Sequence, residues 1–528
     1  MSRLLHAQSV LCLFVVSLGI PLAAQSGPTG STVTQEVREY RIAHEAEILN
    51  ELRDLLALPN VASDRENIER NANHIVAMLE ARGAIARLLR VEGSPPAVLG
   101  QLDADGATRT VVFYAHYDGQ PVDTTRWSSS PWQPVLRDGV LEEGASQVSW
   151  DVVQSGVDPE WRVYSRSASD DKSPIVALLR SIDALRDRGL PLSVNLKFFF
   201  EGEEEAGSPH LRSFLERYRD QLDADLWIFC DGPVHQTRLP QVVYGVRGVM
   251  GMGITTYGAT RVLHSGHYGN WSPNPAVMLV QLLASMRDDE GRILIDGFYD
   301  DVRPISDNQR TAIEATPDVE TGLKDELSLG RTEGEGNRLL EQIMDPAMNF
   351  DGLAAGNVGA AARNAIPTRA TAALDFRLVP DQTPERVREL VIDHLRSLGY
   401  HVVSEDPDAE TLRSHERVVR VTGGAGYPAT GTPMDLPVSL AVEQVVRDAF
   451  DQELVTVPLL GGSLPLNTFE EVLGVPLVIV PMVNHDNNQH GANENLRIQN
   501  LWDGLEMYAA LMARLGHVWS ITASDPVF

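Results

Sequence analysis

Apolar positions along the first hundred residues of the chain recur at helical spacing. Ile48, Leu52, Leu55 and Leu56 form one stripe, which predicts a helix over about 34–58. A second helix is predicted over about 65–82, with Gly83 as its stop. The period then changes to short, continuous, β-prone runs that each end in polar residues. "TVVFYA" ends at His116, "VNLKFFF" at a group of glutamates, "LWIFC" at Asp231, and "PLVIVPM" shortly before "VNHDNNQHGANEN". Between the first two runs, "PIVALLRSIDALRDRG" reads as a helix over 174–188 closed by Gly189. Continuous apolar runs alternating with helices predict an α/β domain, with a mostly parallel sheet and helices on both faces.

The middle of the chain has a different rhythm. "GVMGMGITTYG", a helix near 275–288, the strand-like "TRATAALDFRLV", the helix "PERVRELVIDHLRSLG" and two further strand-like runs follow in order. This βα…βαβ pattern predicts an inserted two-layer α+β, ferredoxin-like unit. The Gly-rich and acidic stretch from Asp300 to Ala365 carries no clear period. The expected division is a signal peptide over 1–24, a catalytic domain over 33–243 and 432–528, and the insert over 244–431.

Composition adds two constraints. At 528 residues and 43% hydrophobic, the chain can bury more than one core. Its formal net charge of −29 argues against nucleic acid and anionic membrane as partners. The opening "MSRLLHAQSVLCLFVVSLGIPLAAQS" has one early Arg3, an apolar run over 10–22, and small residues at Ala23 and Ala24. The run is shorter than the roughly 20 residues a membrane span needs, and it reads as a secretory signal cut near Ala24. The expected location is therefore periplasmic or extracellular, with no membrane span in the mature chain. Cleavage would also remove Cys12, leaving Cys230 without an internal disulfide partner.

The strand-end residues carry the chemistry. His116 and Asp118 lie in "AHYD", Asp170 and Asp171 in "SASDDKSP", Glu204 and Glu205 among the four glutamates of "EGEEE", Asp231 in "FCDGP", and His490 in "NQHGANEN". Ligands of parallel sheets bind beyond the carboxyl ends of the strands, which is where these residues fall. Nitrogen and oxygen donors without thiolate suit zinc, manganese or cobalt. Neighbouring cations would offset the mutual repulsion of the glutamates. Taken singly, each motif is more commonly a turn or a solvated charge run; together, each at the end of an apolar strand, they indicate a metal site. His485 is a rival to His490, and Asp223 and Asp225 are weaker rivals to Asp231.

The motifs "YAHYD", "YSRSASDDKSP", "FFFEGEEEAGSP", "VVYGVRGV", "LHSGHYGN", "LDFRLVP", "GGSLP" and "HGANEN", in this order, resemble those of the co-catalytic zinc metallopeptidases. That family includes carnosine dipeptidase, glutamate carboxypeptidase, aminoacylase and succinyl-diaminopimelate desuccinylase. The resemblance spans about Val37 to Leu515 and is nearest to the carnosine-dipeptidase branch. It implies two divalent metal ions per subunit, with Asp170 bridging, His116 and Asp231 completing one site, and Glu205 and His490 the other. It further implies that Asp118 steadies His116 and that Glu204 is the base acting on a metal-bridging water. The insert would be a lid and dimerisation unit of a homodimer. There His264 would polarise the scissile carbonyl in the partner's site, while Arg377, Gly462 and Ser463 would receive the substrate carboxylate.

The expected function is therefore an exported metallopeptidase cleaving small peptides with a free carboxylate. An N-acyl-amino-acid amidohydrolase uses the same machinery, and a binding protein that kept the fold is a third reading. The resemblance also implies a cis peptide between Asp170 and Asp171. This chain departs from the family at Ser167 and Ser173, where glycine is usual, and in an apparent insertion over 139–160.

Overall fold

The computed structural model describes residues 29–450 and 452–519. The expected signal peptide lies outside the described residues. The first helix, Gly30–Leu56, buries Val33, Val37, Ile48, Leu52, Leu55 and Leu56 along one stripe. The second, Arg65–Glu80, starts where the Asp64 side chain accepts a hydrogen bond from the Asn67 N–H. Gly83 and Gly189 follow the second and third helices at φ +75° and +66°, the left-handed conformation that only glycine adopts cheaply.

An eight-stranded sheet forms the main layer. Its order is Ile85–Leu89, Ala97–Leu102, Asn195–Glu201, Thr110–His116, Leu226–Phe229, Leu477–Ile479, Gln241–Val243 and Val455–Val457. The four strands from Asn195–Glu201 to Leu477–Ile479 run parallel, and antiparallel pairing appears only outside this block. One face carries the helices Gly30–Leu56, Lys172–Asp187, Pro437–Ala449 and Ile498–Val518 over a single large core. The other face is covered by Leu211–Arg217 and Leu466–Leu473, which pack Leu211, Phe214 and Phe469 against Tyr114, Phe199 and Trp227. Burial on both faces explains why the central strands read as unbroken apolar runs.

The second unit is a five-stranded sheet ordered Ala347–Ala354, Arg369–Leu378, Gly248–Tyr257, Val418–Tyr427 and His401–Val403. The helices Pro275–Ala284 and Pro384–Ser397 pack on it through Leu279, Leu282, Val387 and Val391. Both helices begin with a capping Asn274 or Thr383 followed by proline. The edge strand Ala347–Ala354 comes from the stretch that carried no clear period. All its residues after Met348 are exposed, so its apolar positions show no alternation. That stretch also holds the helices Asp307–Ala315, Glu320–Glu326 and Leu339–Ile343. The helix expected over 275–288 stops at Ala284.

The 139–160 segment forms short 3-10 turns and adds the strand Gln147–Val148 to a small antiparallel sheet. Its Glu142 accepts a hydrogen bond from the Asn488 side chain at 3.4 Å, which puts the insertion against the loop that leads to His490. The Asp170–Asp171 peptide is cis. Among the described residues, no helix is long and apolar enough to cross a membrane.

Candidate metal centre

All four parallel strands deliver their carboxyl ends to one place. His116 closes Thr110–His116 and sits in register with Glu201, Asp231 follows Leu226–Phe229, and the chain after Leu477–Ile479 runs on to His490. Two donor groups result. His116, Asp170 and Asp231 bring one ligand atom each within 4.8 Å of one another, and Asp170, Glu205 and His490 do the same. Asp170 belongs to both. His116 Nε2 lies 2.9 Å from Asp170 Oδ1, and His490 Nε2 lies 3.1 Å from Asp170 Oδ2 and 3.2 Å from Glu205 Oε2. Glu204 joins neither group, but its Oε2 is 3.8 Å from His116 Nε2.

Asp118 has two functions. Its Oδ1 and backbone carbonyl lie 3.4 Å and 3.2 Å from His116 Nδ1, the supporting position expected of it. Its two carboxylate oxygens also accept the N–H groups of Glu204 and Glu205, both at 3.1 Å. One buried carboxylate thus fixes the histidine and the turn that carries Glu204 and Glu205.

The electrostatics fit a pair of cations. Burial raises the Asp231 carboxyl to about 7, and the Asp170 charge pushes it the same way. Burial also lifts Glu204 well above the usual carboxylate range; Asp231 and Asp170 add to this, while His116 opposes it. Asp170 is held below its usual range despite burial, because His116 and His490 hydrogen-bond to its charged form. The buried Glu205 Oε1 has no hydrogen-bond partner among the described residues. Crowded carboxylates, two imidazoles and an unsatisfied oxygen form a donor set suited to divalent zinc, manganese or cobalt.

Two of the four glutamates serve the fold instead. Glu201 is buried and accepts the Tyr114 hydroxyl at 2.8 Å, and burial raises its carboxyl to about 7. Glu203 is buried and accepts the His210 N–H at 3.1 Å.

Glu494 is a positioning residue that motif reading passed over, although it lies within the quoted "HGANEN". It is fully buried and accepts hydrogen bonds from Arg166 Nη1 at 2.7 Å and from the N–H groups of Ser167, Ser169 and Asp170 at 2.9–3.0 Å. It therefore sets the loop that presents the shared aspartate. Ser167 on this loop has φ +60°, a conformation that disfavours serine by about 1–2 kcal/mol. Its hydroxyl accepts a 2.8 Å hydrogen bond from Asn60 Nδ2, an interaction glycine would lack. Ser173 sits inside the helix Lys172–Asp187 and needs no such compensation.

Arg377 Nη1 donates to Ser463 Oγ at 3.0 Å, so the insert and the Leu460–Ser463 loop meet there, with the exposed Gly462 beside them. Asp375 accepts from Arg377 Nε and steadies the guanidinium. Arg377 and Tyr427 flank Val249 in register on adjacent strands. Burial raises the Tyr427 hydroxyl, the Glu204 charge raises it further and Arg377 opposes. His264 is exposed, and its contacts are local, with Nδ1 accepting the Gly266 N–H and the ring against His267. His485 belongs to neither donor group, nor do Asp223 and Asp225.

A parallel sheet whose strand ends gather two nitrogen-and-oxygen donor groups around one shared carboxylate defines a dinuclear metallohydrolase. The profile of Peptidase family M20/M25/M40 matches residues 112–514, and the chain belongs to that family of metallopeptidases. It is 27% identical over 433 residues to the human Beta-Ala-His dipeptidase, covering 80% of this chain and 78% of the relative. It is 28% identical over 485 residues to the Cys-Gly metallodipeptidase DUG1 of Candida albicans, covering 86% and 92%. The structure is similar to the M20 family metallo-carboxypeptidase Sso-CP2 of Sulfolobus solfataricus, with TM-score 0.69, 29% identity, and coverage of 89% of this chain and 99% of that one.

Replacing Glu494 tests the loop that it holds. Glu494→Ala leaves buried N–H groups and Arg166 without their acceptor, a change that costs about 3–5 kcal/mol for a broken buried ion pair. Thermal unfolding should show that loss, and cation titration of the remaining folded protein should show weakened binding at both donor groups. Wild-type cation affinity in the variant would remove Glu494 from this role.

Proposed function

We propose that the protein is a di-metal dipeptidase that cleaves the amide bond of small peptides carrying a free carboxylate. The observation that carries this reading is the coincidence of two donor groups sharing Asp170 with an arginine held at Ser463. His116, Asp170 and Asp231 would hold one divalent cation, and Asp170, Glu205 and His490 the other. When bound, such cations supply Lewis acidity toward a carbonyl and make water more acidic. Glu204 takes the proton from the attacking water and returns it to the departing amine, the role of a carboxylate kept beside the donors but outside them. Arg377, Ser463 and the backbone at Gly462 receive the substrate carboxylate, a task suited to a guanidinium fork. The dipeptidase names of the relatives support this reading. An N-acyl-amino-acid amidohydrolase would release the same amino-acid leaving group, so dipeptides assayed against N-acetyl and N-succinyl amino acids decide between the two.

The active unit is proposed to be a homodimer in which His264 polarises the scissile carbonyl in the partner's site. The same stretch of the insert exposes the large apolar side chains of Val262, Trp271, Val277 and Val280, and Trp271 is 79% exposed. The outer edge of Ala347–Ala354 adds exposed Phe350 and Leu353. A second copy covering these surfaces would bury them and bring His264 to a neighbouring metal centre. Export after cleavage near Ala24 is part of the same proposal. Intact-mass measurement of the secreted protein should find the chain starting close to Gln25, and an uncleaved exported chain would contradict it.

Metal content and turnover separate the two glutamates. Glu204→Gln should keep about two divalent ions per chain while kcat falls by at least ~10²-fold, the lower end of general-base contributions. Glu205→Gln should lose one ion. Reversed behaviour of the two variants would exchange their roles.

Mixing two inactive variants tests the dimer. His264→Ala and Glu204→Gln homodimers should each be nearly inactive, since one oxyanion-type donor is worth about 10²–10³ in kcat. A heterodimer of the two contains one site with both an intact base and an intact histidine, and should recover roughly half of wild-type activity. No recovery in a sample shown to contain heterodimers would place His264 outside the partner's site.

A further inference from the structure

A cavity of about 180 Å³ opens beside Asp231, where the parallel sheet meets the helices between residues 316 and 340. Its floor is the sheet itself: Val243, Val457 and Ile479 line it, each at most 4% exposed, and Leu460 continues that wall toward the Ser463 loop. Leu339 and Leu340 close it from the helix Leu339–Ile343. A single water occupies roughly 30 Å³, so the space would hold several waters or one branched or aromatic side chain.

Asp231 and His485 also line the space, and the other charged or titratable groups on its wall are already committed. Arg338 donates to the carbonyls of Ile313, Thr316 and Pro317 and to Glu320. Glu320 also accepts the N–H groups of Leu339 and Val319. His235 bonds Thr237, and burial lowers its imidazole below the usual range, which favours the neutral ring. What this leaves facing the space is largely hydrocarbon, ending at a residue of the first donor group. Sites that select small ligands are built this way, with apolar walls and a few placed polar groups.

We propose that this cavity is the specificity pocket for the side chain on the acyl side of the scissile bond. The enzyme is thereby selective for peptides whose first residue is leucine-, methionine- or phenylalanine-like. The inference rests on the dipeptidase reading above. The carboxylate of the leaving residue goes to Arg377 and Ser463, whereas the cavity adjoins the donor Asp231, where the acyl carbonyl must approach. On this placement the side chain next to that carbonyl is the one we assign to the cavity.

The test compares Leu-Gly, Phe-Gly, Ala-Gly, Gly-Leu and β-Ala-His on the zinc-loaded wild-type enzyme. Leu-Gly and Phe-Gly should exceed Ala-Gly in kcat/KM by about tenfold or more, the range for filling an apolar pocket, and Gly-Leu should gain no comparable advantage. Leu340→Trp fills the space and should bring the Leu-Gly to Ala-Gly ratio of kcat/KM down to near one. Leu339→Trp, at a more exposed position, makes the same test if the first variant folds poorly. Equal turnover of Leu-Gly and Ala-Gly, or a Gly-Leu preference, overturns the pocket while the dipeptidase reading stands. If no dipeptide is cleaved, that reading has failed, and calorimetry on zinc-loaded Glu204→Gln still decides the pocket. Leu-Gly binding about tenfold tighter than Ala-Gly, with the difference lost on adding Leu340→Trp, supports it. Equal binding refutes it.

Discussion

The catalytic geometry depends on one buried carboxylate that belongs to neither donor group. Glu494, from the C-terminal part of the chain, collects Arg166 and the N–H groups of Ser167, Ser169 and Asp170, more than 320 residues away in sequence. A buried charge is tolerable only when its lone pairs are satisfied, and these donors satisfy them. The same bonds leave the loop little freedom, so Asp170 meets His116 on one side and His490 on the other. Asp118 applies the same device to the turn of Glu204 and Glu205. Acidic residues at this site thus fall into two kinds: those that hold backbone, and those free to meet a cation or a proton.

The run "EGEEE" shows that division within five residues. Glu201 ends a buried strand and is occupied by Tyr114, and Glu203 is occupied by His210, so neither side chain is available to the centre. Glu204 and Glu205 begin the following 3-10 turn, where successive side chains point apart. One turns into the second donor group and its neighbour toward His116. Like charges at this density would destabilise an ordinary loop. They persist here because each is spent on a hydrogen bond or placed where positive charge is to be bound.

Much of this was legible in the sequence, for a physical reason. Strands buried on both faces read as apolar runs, and in a parallel sheet their ends mark the site, so His116, Asp231 and the glutamate group stand out, while the choice of Glu204 and Glu205 among those glutamates came from the family resemblance alone. His490 could be chosen over His485 only by its motif, since the loop between them has no period. The edge strand Ala347–Ala354 escaped notice because an exposed edge places no demand on alternation. Glu494 escaped for the opposite reason. A residue that works by accepting backbone N–H groups leaves no compositional trace at the positions that donate them. Ser167 was recognised as a departure, but its partner Asn60 lies 107 residues away and only the fold brings them together.

The arrangement also separates chemistry from selection. The donor groups and Glu204 stand on the ends of buried parallel strands and on turns tied to them by Asp118 and Glu494, a setting with little room to adjust. The other groups proposed to contact substrate come from elsewhere in the chain. Arg377 is on the five-stranded sheet, Ser463 on a loop, and Leu339 and Leu340 on a short helix of the segment before the exposed edge strand. His264 is on a turn that faces solvent in the single chain. Changes among these elements alter neither the sheet nor the carboxylates that hold the centre. One mode of bond cleavage can therefore be paired with different peptides, and the apolar space beside Asp231 is where this chain is proposed to build that difference.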